Sequence, residues 1–122
     1  MADSTAKLLS ITFFLVLISQ GYGQCYLRDL SLLQTRTGNI VQGKPEWIVS
    51  ITNKCACVQS DVMLNCRSFK TVEKIDPSVL QVLGDECLIN YGNPIYHDAF
   101  NFTYAWDRPT SFFPISSQIS CS

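Results

Sequence analysis

Six cysteines carry most of the chemistry this chain has to offer: Cys25, Cys55, Cys57, Cys66, Cys87 and Cys121. Three of them crowd into residues 53–66, so that stretch must be tied to several other parts of the chain. Clustered cysteines make metal sites or disulfides. A zinc site needs C-x2-C pairs or accompanying histidines, whereas this chain offers one C-x-C and a single histidine, His97. An even count in a short exported chain reads instead as three disulfides. Six cysteines allow fifteen pairings, and spacing argues against only one: a Cys55–Cys57 bond would close a small, strained ring.

Other reactive side chains do not assemble into a catalytic set. His97 sits beside Asp98 in turn-rich sequence, with no local signature of a nucleophile, base and orienting group. The carboxylates are scattered, and Asp85-Glu86 is the only adjacent pair, which singles out no glycosidase-type acid and base. No glycine-rich phosphate loop is present. The expectation is a protein that is not an enzyme and carries no cofactor or metal. Asn101-Phe102-Thr103 is an N-glycosylation sequon, and Asn101 is expected to face outward and carry a glycan. A second pattern, Asn53-Lys54-Cys55, is the rare cysteine form. Among the aromatics, an exposed row containing Trp47 and Trp106 would stack on sugar rings and make a wall-polysaccharide binding module. Each tryptophan also continues an apolar face, and the expectation is that both are core residues.

Residues 1–23 read as a secretory signal peptide. Leu8 to Ile18 is an apolar run too short to span a bilayer comfortably, and Gly21-Tyr22-Gly23 supplies small residues before a cut at Gln24. The secreted domain is then residues 24–122, a single domain with no membrane insertion once the signal is removed. All six cysteines lie in it. Loss of Lys7 and Asp3 leaves the net charge at −1, which makes no case for nucleic acid as a partner.

The elements that must position the cysteines are strands. From Glu46, Trp47, Val49, Ile51 and Asn53 alternate with Ser50, Thr52 and Lys54, the period of a half-buried strand. Cys55 and Cys57 extend its apolar side, and a polar Gln59-Ser60-Asp61 corner leads to a returning strand through Val62, Leu64 and Cys66. Upstream, residues 25–37 fit a strand, with a short helix as the other reading of the same pattern, before a break at Thr37-Gly38-Asn39. Downstream, residues 70–85 read as a connecting loop with one helical turn, begun by Asp76 and Pro77. Ile75, Val79, Leu80 and Leu83 pack under that turn. Residues 87–90, 99–106 and 112–121 read as further strands. The fold class is all-β: a small disulfide-stabilised β-sandwich of about six or seven short strands.

The order Pro45-Glu46-Trp47-Ile48-Val49-Ser50-Ile51-Thr52-Asn53, then Cys55, Cys57, Cys66 and Phe69, resembles the Tapetum Determinant 1 family of plant secreted cysteine-rich proteins. Cys87-Leu88-Ile89-Asn90-Tyr91-Gly92-Asn93-Pro94-Ile95, Phe102-Thr103-Tyr104-Ala105 and Cys121 extend the likeness across the secreted domain. The resemblance implies an apoplastic signalling protein recognised by the leucine-rich-repeat ectodomain of a receptor kinase that specifies anther cell fate. This chain resembles a short-form relative, with little sequence between the signal peptide and Cys25.

Overall fold

The computed structural model describes residues 24–121, so the signal peptide expected at 1–23 lies outside the described residues. The described residues form seven strands: β1 (Leu30–Val41), β2 (Lys44–Asn53), β3 (Val58–Asn65), β4 (Leu80–Leu83), β5 (Glu86–Ile89), β6 (Phe100–Ala105) and β7 (Phe113–Ser120). They make a three-stranded sheet, β1-β2-β6, and a four-stranded sheet, β4-β5-β3-β7, with antiparallel pairing throughout. No helix among these residues is long and apolar enough to cross a membrane.

Alternation in the sequence sets the sheet faces. Val49 and Ile51 of β2 lie inward beside Phe102 and Tyr104 of β6, against Val62 and Leu64 of β3 and Cys87 and Ile89 of β5. Tyr104 is the largest fully buried side chain, ringed by Phe69 and Phe112 at centroid distances of 5.3 and 5.7 Å. Its hydroxyl donates to Gln34 Oε1 and accepts the Thr110 backbone N–H at 2.8 Å. A buried phenol needs such partners, because an unpaired hydroxyl in the core is costly.

Three expectations are corrected. The cysteine-rich stretch is not a hairpin. β2 ends at Asn53, residues 54–57 make the corner, and β3 runs on through Gln59, Ser60 and Asp61 in the other sheet. The polar triplet is a bulge in β3, with Asp61 at φ +49° and the register slipping between Ser60 and Met63. Likewise, Thr37-Gly38-Asn39 does not end β1. It is a register slip between Arg36 and Ile40, and the chain turns only at Gln42-Gly43. Both turn residues have positive φ, +49° and +80°, the primed hairpin geometry that matches strand twist and favours glycine.

The third concerns residues 70–85. Asp76 does nucleate one turn: its carboxylate accepts the Ser78 N–H at 2.9 Å, and its carbonyl accepts those of Val79 and Leu80. Beyond it, however, Leu80–Leu83 is strand β4, paired to β5 through a tight turn at Gly84-Asp85. Leu80 is buried, whereas Leu83 stands half exposed on the sheet edge. Four residues are too few for periodicity to reveal a strand.

Candidate functional site

The three disulfides all involve the 53–66 stretch. Cys25 bonds Cys55, fastening the start of the domain to the corner; Cys57 bonds Cys121, closing the end of β7 onto β3; Cys66 bonds Cys87, joining β3 to β5 inside the core. Cα separations are 5.7, 4.7 and 5.9 Å, within the span a disulfide bridges. The sulfurs of Cys25, Cys55 and Cys57 lie within 4.8 Å of one another. Each is consumed in a disulfide, so the trio is no thiolate metal site.

Packed against this cluster is a buried polar network that sequence polarity does not reveal. Asn53 is 1% exposed, and its side-chain amide donates to the carbonyls of Cys57 and Ile95 at 2.8 and 3.0 Å. Its Oδ1 accepts the Cys55 N–H at 3.0 Å and Gln59 Nε2 at 3.3 Å. Gln59, fully buried, also donates to the Tyr26 carbonyl and accepts from Ser117 Oγ at 2.7 Å. The Asn53-Lys54-Cys55 sequon is therefore closed in the folded protein: the asparagine amide has no accessible face.

That network pins a loop. The Ile95 N–H donates to the Gln59 carbonyl at 2.8 Å, and the Asn53 N–H donates to Tyr96 O at 3.3 Å. Between β5 and this anchor, Asn90, Tyr91 and Gly92 take φ of +54°, +55° and +81° in succession. Left-handed backbone is uncommon for any non-glycine residue and a marked outlier for a tyrosine. Gly92 has a second constraint, since a Cβ there would stand 2.7 Å from Asp61 Oδ1. The result is a clamped loop presenting two tyrosines to solvent, Tyr91 at 70% and Tyr96 at 58% exposure. A shallow recess lined by Pro94, Tyr96, Asp98 and Phe100 lies alongside. His97 is on this loop and exposed.

The other sequence-flagged residues fall elsewhere. Asn101 is exposed on β6. Asp85 and Glu86 are exposed at the β4–β5 turn. Trp47 and Trp106 are half-buried, not core: each packs one side on the apolar cluster, and Trp47 Nε1 donates to the Trp106 carbonyl at 3.1 Å. Their outer sides meet cations. Arg36 lies 5.8 Å from the Trp47 ring, and Lys44 lies 5.1 Å from that of Trp106.

One carboxylate pair escaped the sequence reading. Glu46, buried on β2, accepts hydrogen bonds from Thr37 Oγ1 at 2.8 Å and Asn39 Nδ2 at 3.0 Å. Glu73 comes beside it because residues 71–73 run along the outer edge of β6, with Val72 N donating to Ala105 O and Ala105 N to Thr71 Oγ1. Burial, then the adjoining Glu46 carboxyl, push Glu73 up to about 7. Glu46 is held below the usual range by hydrogen bonds from Glu73, Asn39 and Thr37. Glu73 thus carries the proton the pair shares.

Two packed sheets with three disulfides and a clamped, tyrosine-bearing loop define a disulfide-stapled β-sandwich. Residues 26–122 match the family described as "Tapetum determinant 1, C-terminal", and the chain belongs to that family. It is similar to "TPD1 protein homolog 1A" of Oryza sativa subsp. japonica, 29% identical over 102 residues, which cover 75% of this chain and 43% of that protein. It is also similar to "TPD1 protein homolog 1B" of the same plant, 31% identical over 84 residues, covering 66% of this chain and 50% of that protein. The chain spans about half the length of the curated relatives it matches. No solved structure matches it.

Proposed function

We propose that this chain is a secreted plant signalling protein, read in the apoplast by the leucine-rich-repeat ectodomain of a receptor kinase in reproductive cell-fate specification. Family membership across the whole described domain is the observation that carries this reading. The structure supports it with a surface suited to recognition. Tyr91 and Tyr96 are large amphipathic anchors, the kind of side chain that dominates protein interfaces, and their backbone is already ordered by the Asn53–Gln59 network. In this reading residues 1–23 direct export and are removed, and Asn101 on β6 carries a glycan. The domain acts by being bound, without catalysis: Glu46 is occupied holding Thr37, Asn39 and Glu73, which is structural work within the first sheet.

The test is a pull-down with the processed, oxidised protein against a panel of plant leucine-rich-repeat ectodomains, the anther type included. Retention by one of them is the expected result, and failure with all of them overturns the proposal. Treatment with an asparagine-specific glycosidase is expected to lower the mass of the plant-secreted protein, and an unchanged mass removes the glycan at Asn101.

A further inference from the structure

A second recess lies apart from the tyrosine loop. Its volume is about 350 Å3, and it is lined by Arg67, Ser68, Lys70, Trp106, Arg108 and Ser111, with Pro109 and Thr110 completing the wall. Three cations stand on this wall and no carboxylate does. The mature net charge is only −1, so the concentration of positive charge is local. Arg67, Lys70 and Arg108 are exposed and make no ion pair among the described residues. The neighbouring acid, Asp107, is already engaged by Lys44 at 2.8 Å.

The walls are fixed. Arg67 and Ser68 sit in a tight turn just after Cys66, whose carbonyl accepts the Phe69 N–H at 3.0 Å and whose sulfur is bonded to Cys87. Opposite, Thr110 is held by its N–H to Tyr104 and by its carbonyl, which accepts Gln34 Nε2 at 2.9 Å. Asn65 Nδ2 holds the Ser111 carbonyl at 3.1 Å. Trp106 is clamped through its backbone to Pro45 at 3.2 Å, and Lys70 reaches to 5.8 Å from its indole ring. These bonds fix the backbone from which the cations project, which limits the ordering left to their side chains on binding.

From these features we infer that the recess binds a carboxylated sugar, a hexuronate unit of an acidic polysaccharide. The three parts of such a ring match three parts of the wall. Its carboxylate meets a guanidinium pair, which recognises planar oxyanions by paired charge-assisted hydrogen bonds. Its ring hydroxyls meet Ser68 and Ser111. Its apolar C–H edge meets Trp106, which lines the recess with Lys44 and Lys70 beside its ring. A run of acidic side chains such as polyglutamate offers neither ring hydroxyls nor a sugar C–H edge, and would engage the recess chiefly through its cations. The site is independent of receptor recognition by the tyrosine loop, and it would hold the secreted protein on an acidic matrix.

The test uses the processed, oxidised protein and four probes: an α-1,4-linked galacturonate oligosaccharide, its methyl ester, a neutral glucan oligosaccharide and polyglutamate. Binding is followed by calorimetry and by the indole N–H resonance of Trp106. The free-acid oligosaccharide is expected to bind and to shift that resonance, with the methyl ester, the glucan and polyglutamate each weaker. The double variant Arg67→Gln/Arg108→Gln should lose about 10-fold or more of that affinity, as expected for removing charge-assisted hydrogen bonds. Arg28→Gln, beside Tyr26 at the domain's start, should bind as the parent does. Both arginines are exposed, so folding of the double variant is checked by its near-ultraviolet circular dichroism and receptor retention. No binding, equal binding of any of the other three probes, or an unaffected double variant each overturns the inference.

Discussion

Gln59 Nε2 donates to Asn53 Oδ1 at 3.3 Å, bridging the last residue of β2 in one sheet and the start of β3 in the other. Between them runs the Cys55-Ala56-Cys57 corner, whose Cys55 N–H and Cys57 carbonyl are both satisfied by Asn53. The disulfides and this amide pair therefore constrain the same corner in different ways. The sulfurs limit how far the unfolded chain spreads, while the amides hold the folded backbone in place.

Asn53→Ala should be among the most damaging single changes outside the cysteines. It strands the carbonyls of Cys57 and Ile95 and the N–H of Cys55, and each buried orphan costs about 1–3 kcal/mol. The expected loss is about 3 kcal/mol or more by urea titration, part of the stranded groups being reached by water. A change under 1 kcal/mol would show that the network is dispensable. Loosening of the 90–98 loop should be visible too, as altered chemical shifts at Ile95 and Tyr96.

Tyr104→Phe isolates a hydroxyl. It removes the partner of the Thr110 N–H and of Gln34 while keeping the ring between Phe69 and Phe112. The cost should fall at about 1–3 kcal/mol, and the denaturant slope should not change because the core stays packed. A loss much larger than this would mean the ring had moved, which a crystal structure or aromatic nuclear Overhauser contacts would reveal.

The alternation at 46–53 and 100–105 was legible because one face of those strands meets the core and the other meets solvent. Its reach ended where a polar residue is buried for its hydrogen bonds. Gln59 looks like corner material, yet it is fully buried, and reading it as polar surface placed the turn at 59–61 instead of 54–57. The Glu46–Glu73 pair was invisible for another reason: its members are brought together by an edge segment with no periodicity of its own. Tyr91 shows a third limit, since a left-handed backbone is written in no side-chain pattern unless glycine marks it. The half-exposure of Trp47 and Trp106 was missed because both lie where an apolar face runs out to cations.

The carboxylate pair makes a pH prediction with a definite sign. Unfolded, Glu73 loses its proton near 4.5; folded, it keeps it to about 7. Between those values the folded state binds more protons, so stability falls as pH rises from about 4.5 to 7 and levels off above. Glu46 acts oppositely, its contribution being lost as pH falls below its ordinary value. Glu73→Gln should flatten the decline in urea midpoint between pH 4.5 and 7 relative to the parent. Parallel curves for the two proteins would remove Glu73 as the titrating group.

The bridges should differ in their resistance to reduction. Cys66 and Cys87 are almost fully buried, whereas Cys25 and Cys55 are partly exposed and Cys121 is exposed. Thiol exchange requires access to a sulfur. Mild reductant in native buffer should therefore open Cys25–Cys55 and Cys57–Cys121 before Cys66–Cys87, as mapped by alkylation and mass spectrometry. Pairwise replacement of Cys66 and Cys87 by alanine should cost about 2–4 kcal/mol. Early alkylation of Cys66 or Cys87 with the rest intact would contradict the burial described for them.

In the receptor-binding role proposed above, Tyr91 sets stability against recognition. Its left-handed backbone, φ +55°, is one a tyrosine adopts at a cost and an asparagine adopts more readily. Tyr91→Asn should raise stability by up to about 1 kcal/mol, since the exposed ring contributes little to packing. The same change should weaken retention on the receptor ectodomain by about 10-fold or more, as expected for losing an aromatic anchor. Tyr96→Ala is the companion, weakening retention without the gain in stability because its backbone is not left-handed. A Tyr91→Asn protein that is stabilised and binds the receptor as the parent does would place the recognition surface away from this loop. Should both variants lose stability, the strain at Asn90-Tyr91-Gly92 would be supporting the fold and not the binding.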